Sequence, residues 1–147
     1  MRKLLVLGML PLVPFLGWTQ TSKPAPTTAY SPVPVTDARR PNPVKSTPES
    51  IAEGKRIYGY DCLQCHGATG DGKGQAATDM KVKIPDFTDS AVLKDRTDGE
   101  LFYVIKNGRG EMPLEGDRVK TDQLWDLVNY VRSLAKKKIP AEREPSS

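Results

Sequence analysis

Residues 62 to 66 read Cys62-Leu63-Gln64-Cys65-His66, and the chain of 147 residues holds no other cysteine and no other histidine. Each way of using these side chains demands different surroundings. A disulfide would close a loop of only four residues and leave His66 without a role. Structural zinc needs about four ligands, and the chain offers two cysteines and a single histidine. A thioredoxin-like redox pair sits beside a βαβ pattern, and no alternating strand pattern is visible. Covalent attachment of a haem gives both cysteines and the histidine a role. Two thiols about one helical turn apart reach the two vinyl groups on one porphyrin edge, and His66 places an imidazole under the iron.

Helix signals lie on both sides of this motif. Thr47-Pro48 is an N-cap followed by proline at the first helical position, where the missing N–H costs nothing. The helix it opens should run to about Tyr60, with Ile51, Gly54 and Tyr58 on the face that leads to Cys62. The stretch from His66 to Gln75 is rich in glycine and reads as loop. A second helix opens at the capping box Thr97-x-x-Glu100, carries Leu101, Phe102, Val104 and Ile105, and stops at Asn107-Gly108. A third opens at Thr121 with the stripe Leu124, Leu127, Val128, Val131 and Leu134, and Lys136 to Lys138 complement the negative end of its dipole. The expected fold is all-α, three or more helices with long loops. So small a domain has a thin core, and loops at 66 to 88 and 108 to 120 are long enough to wrap an object. A haem supplies both.

The flanks differ in kind. Arg2 and Lys3 precede the apolar run from Leu4 to Trp18, the pattern of an export signal. Its 15 residues would span about 22 Å as a helix, short of a bilayer core of ~30 Å. Residues 1 to 20 are therefore expected to be a signal peptide or a short amino-terminal anchor, with cleavage favoured although no clear cleavage site follows Trp18. Residues 21 to 47, dense in Pro, Thr and Ser, read as a disordered tether, 48 to 138 as the folded domain and 139 to 147 as a disordered tail. Residues 49 to 135 hold 12 basic and 15 acidic residues, so the net charge of +4 belongs to the flanks. A nucleic-acid partner would need a basic footprint on the folded unit, and none is expected.

His66 being the only histidine, the second axial position must go to another donor. Thioether sulfur suits haem iron in electron carriers. With Met1 and Met9 assigned to the signal, Met80 and Met112 remain. Met80 lies only 14 residues after His66, on a segment that wraps the same side. Met112, in Gly110-Glu111-Met112-Pro113, sits in a glycine-bounded loop between the second and third helices and is the favoured ligand. As an arbitrary methionine it would be a flexible filler of core gaps; the need for a ligand reverses that reading.

From Ile51 to Leu134 the residues resemble the class I cytochromes c of the compact bacterial, mono-haem type. The resemblance rests on Gly54 to Tyr58, Cys62 to Gly67, Ile84-Pro85-Asp86-Phe87, Val104 to Gly108 with Met112-Pro113, and Leu124 to Leu134. Only 45 residues separate His66 from Met112, as in the compact members. The resemblance implies that the first and last helices cross at Gly54, where Gly54 and Tyr58 meet Leu127 and Tyr130. It further implies that the Pro85 carbonyl accepts the imidazole N–H, and that Arg109 pairs with a haem propionate.

The expected function is that of an extracytoplasmic one-electron carrier with a His66/Met112-ligated haem c, not an enzyme. One alternative is a haem subunit docked to a larger redox enzyme. The other is an open-site ligand-binding or peroxidatic haem protein, which would lack a distal histidine for acid–base work. The expected partners are redox donor and acceptor proteins, the amino terminus is a candidate membrane attachment, and the expected state is a periplasmic or membrane-facing monomer.

Overall fold

The computed structural model describes residues 32–135. The expected signal, the first part of the tether, Lys136 to Lys138 and the tail lie outside the described residues. Seven helices follow in order: α1 (Val35–Ala38), α2 (Pro48–Asp61), α3 (Leu63–His66), α4 (Gln75–Met80), α5 (Ser90–Leu93), α6 (Asp98–Asn107) and α7 (Thr121–Leu134). Among the described residues the extended pairing is a single bridge between Arg109 and Met112.

The long helices start where local chemistry directs. The Thr47 hydroxyl accepts the Ser50 N–H at 3.3 Å, and Pro48 takes the first helical position of α2. At α6 both halves of the capping box are made: Thr97 Oγ1 accepts the Glu100 N–H at 3.1 Å, and Glu100 Oε2 accepts the Thr97 N–H at 2.8 Å. On α7 the run Leu124 to Val131 is buried except for Asp126. Its apolar members join Ile57 and Tyr58 of α2 and Phe102 and Ile105 of α6 in one core, where Trp125 stacks on Phe102 at 4.0 Å between ring centroids.

Helices α2 and α7 cross at Gly54. A Cβ there would overlap the Asp126 carbonyl and stand 2.8 Å from the Tyr130 Cβ. Tyr58 meets Tyr130 edge to face at 5.1 Å, and Asp126 takes the place expected for Leu127 against the glycine. Polar links flank the crossing. The Ser50 hydroxyl donates to Asp126 at 2.6 Å, and the Gln123 amide donates to Glu53 at 2.7 Å. Arg56, then Gln123, hold the Glu53 carboxyl down at about 2. Because the folded value lies below the unfolded one, this link stabilises the fold above pH 4.5 and is lost as pH falls toward about 2. Glu53→Gln should therefore flatten the pH dependence of urea unfolding midpoints between those limits, with a small effect for so exposed a group.

Residues 33–47, expected to be tether, are instead part of the fold. Helix α1 lies on α6, where the absence of a side chain at Gly99 admits the Asp37 carbonyl. The Thr97 hydroxyl donates to the Ala38 carbonyl at 2.5 Å. The Arg40 guanidinium lies 5.2 Å from the Phe102 ring centre and 5.8 Å from that of Trp125. Asn42 donates to Asn129 Oδ1 at 2.9 Å, and Asn129 donates to the Val44 carbonyl at 3.2 Å. This strap is held largely by polar hooks and cation–π contact, which a composition poor in apolar residues does not reveal.

Candidate haem site

Helix α2 passes into α3 through Cys62. The Cys62 carbonyl accepts the N–H of Cys65 at 3.2 Å and of His66 at 2.9 Å, closing one tight turn that brings both cysteines and the histidine together. The two cysteines form no disulfide. Tyr58, still on α2, donates its buried hydroxyl to the Gly67 carbonyl at 2.7 Å and so ties the end of the turn to the helix before it.

Beside this turn lies a cavity of about 480 Å³, within the usual range for ligand sites. His66 and Cys62 form one part of its lining, Val82 to Phe87 another, Leu101, Val104 and Ile105 of α6 a third, and Leu127 and Val131 of α7 the floor. Met112 enters the same cavity from the loop after α6, and Arg109 and Pro85 also line it. Backbone bonds of 3.0 Å in each direction between Arg109 and Met112 close this loop into a tight turn. A smaller cavity of about 80 Å³ adjoins, lined by Cys65 and also by Cys62, His66 and Met112. Met80 borders only this smaller one and is 48 % exposed at the end of α4.

The electrostatics suit a neutral ligand set. Burial pushes His66 down, favouring the uncharged imidazole whose lone pair a metal can accept. Its Nδ1 is buried without a hydrogen bond. A neutral imidazole has one N–H and one nitrogen with a lone pair, so His66 on this apolar cavity wall fits a metal centre there through the nitrogen that does not carry the proton. Burial, followed by the carboxylates Glu115 and Asp61, pushes the Cys62 thiol up to about 12.

The implied hydrogen bond from His66 to the Pro85 carbonyl is not made here, since Nδ1 has no partner. The Ile84 and Pro85 carbonyls lie close against Gly72, while the imidazole stacks on Phe87 at 4.9 Å and 17°. Phe87 is thus the side chain that sets the ring plane. Sequence reasoning passed over it, although its place two residues after Pro85 was the available signal. Glu115, 2 % exposed beside Cys62, was missed as well, because a glutamate in a loop is ordinarily solvated.

Residues 49–131 match the family described as "Cytochrome C oxidase, cbb3-type, subunit III". The chain belongs to the c-type cytochromes. As a member it carries a covalently bound haem c. It is 32% identical over 90 residues to the cbb3-type cytochrome c oxidase subunit CcoP of Rubrivivax gelatinosus, a match covering 60% of this chain and 27% of that protein. It is 29% identical over 83 residues to cytochrome c6 of Cladophora glomerata, covering 56% of this chain and 87% of the relative. Among solved structures it is similar to the Kuenenia stuttgartiensis reducing HAO-like protein complex, with a TM-score of 0.57 and 28% identity over 74% of this cytochrome and 53% of that chain. This cytochrome therefore spans about a quarter of the CcoP subunit and about half of the matched complex chain.

Proposed function

We propose that the protein is an exported one-electron carrier whose haem is attached through Cys62 and Cys65, with His66 and Met112 as axial ligands. The observation that carries this reading is that His66 and Met112, from separate elements, line one apolar cavity beside the attachment turn, while Met80 does not reach it. When bound, a haem iron with both axial positions filled exchanges one electron without needing a substrate on the metal.

The surrounding side chains have distinct parts. The half-buried, neutral imidazole of His66 donates its lone pair, and Phe87 stacks on the ring. Met112 presents an uncharged sulfur. The walls from α6 and α7 exclude water, so the extra positive charge of the ferric state is disfavoured and the potential is raised. Arg109, in the cavity lining, is the candidate partner for a propionate. The names of two relatives, an oxidase subunit and a chain of a complex, favour service as a docked subunit as the second reading. In either case the partners are redox proteins.

In the ferric protein, Met112→Ala should remove the weak far-red sulfur-to-iron charge-transfer band, and Met80→Ala should leave it. The potential of the Met112 variant should fall by on the order of 0.1 V, and cyanide should bind it readily. Persistence of the band in Met112→Ala would refute the ligand assignment. Rapid cyanide binding and peroxide turnover by the wild type would replace the carrier with an open-site haem protein.

A further inference from the structure

The loop from Gly108 to Lys120 is tied to α6 by its backbone, through the Glu115 N–H to the Ile105 carbonyl at 3.0 Å and the Gly116 N–H to the Lys106 carbonyl at 2.9 Å. Its link to the haem-attachment side is of another kind. Arg118 donates to Glu115 Oε1 at 2.6 Å, and its second terminal nitrogen lies 3.4 Å from Asp61 Oδ1, the residue before Cys62. The Glu115 side chain is 3 % exposed, Asp61 24 % and Arg118 55 %. Oε2 of Glu115 is buried with no hydrogen bond, so the pairing of that carboxylate rests on Arg118. A planar guanidinium can fork between two carboxylates and keep both orientations. A buried carboxylate is a poor route to stability, and its placement here makes sense as a means of fixing where Arg118 reaches.

We propose that Arg118 is a positioning residue, a latch that spans Glu115 on the loop and Asp61 at the end of α2, next to the attachment turn, and slows the departure of the Met112 sulfur from the iron. The inference rests on the assignment of Met112 as ligand. An incoming ligand must wait for the loop to open, so the rate at which imidazole binds the ferric holoprotein reports the latch.

Asp61→Asn removes the span between the two segments and leaves the Glu115–Arg118 pair in place. It should raise the imidazole binding rate about threefold, the range expected for a partly exposed ion pair. Arg118→Ala also strands the buried carboxylate and should raise the rate about tenfold or more, with Arg118→Lys between the two because an ammonium lacks the fork. Glu53→Gln, which removes a link between α2 and α7 away from the loop, should leave the rate unchanged. Added salt should accelerate the wild type more than Asp61→Asn. If Arg118→Ala yields no holoprotein, Asp61→Asn decides. A wild type that shows the far-red sulfur band while Asp61→Asn keeps the wild-type rate overturns the latch and leaves the ligand assignment standing. Absence of the band in the wild type overturns both.

Discussion

Cys62→Ser combined with Cys65→Ser should yield a chain from which acidified organic solvent extracts all haem, whereas the wild type should keep its haem through that treatment and through a denaturing gel. The two thiols flank a single turn, so each single variant retains one attachment point and should hold haem covalently at reduced yield. The double variant loses more than a cofactor. A cavity of about 480 Å³ bordered by apolar side chains of α6 and α7 would be left to collapse or fill with water, and empty core volume costs roughly 24 cal/mol per Å³. Since a small domain is stable by only about 5 to 15 kcal/mol, the haem-free double variant should show weak helical circular dichroism and no cooperative unfolding. Extraction of haem from the wild type would defeat the attachment assignment.

Gly54→Leu should prevent recovery of folded holoprotein, and even Gly54→Ala should lower stability markedly. In an ordinary helix the change to alanine gains up to about 1 kcal/mol. Here the added Cβ would overlap the Asp126 carbonyl and press on Tyr130. One obstacle is the backbone of α7, so no rotation of a side chain relieves it. Overpacking of this kind costs typically ~1 to 3 kcal/mol, and the loss should exceed the helical gain. The Tyr58–Tyr130 contact and the Ser50–Asp126 bond lie on either side of the same crossing and would be pulled apart with it. Urea unfolding of Gly54→Ala holoprotein, compared with Gly59→Ala on the same helix where a Cβ meets nothing, separates crossing from helix propensity. Equal stabilisation of both would refute the packing role.

What could be read in advance follows the range of the interactions. Helices α2, α6 and α7 carry their own start signals and apolar stripes within a few residues, and their limits match the expected ones closely. The short α4 follows Gly74, an N-cap with no side chain to offer, so nothing local announces it. The strap escaped notice because its hooks lie far away: Asn42 meets Asn129 across 87 positions, and a run of prolines gives no hint of that pairing. At the site, the Cys62 to His66 motif was legible because its chemistry is local, and Met112 stands out as the proposed second donor only because so few donors were available. Phe87 was not, since a ring stacked on His66 is set by how the intervening loop folds. Nor was the burial of Glu115, which depends on Arg118 and the end of α2 arriving together.

The strap also determines where the polypeptide takes leave of the domain. Val33 belongs to the wall of the large cavity, so the amino-terminal side of the described domain lies beside the candidate haem site. Any mooring made close to Val33, to a bilayer or to another subunit, would act beside that site. A carrier held in this way searches a small volume with its working side already near its partner, and encounter becomes a matter of local concentration, of millimolar order for a short connection. Moving the attachment to the carboxyl-terminal end of α7 would keep the same haem and the same potential, yet change the rate at which electrons find their destination.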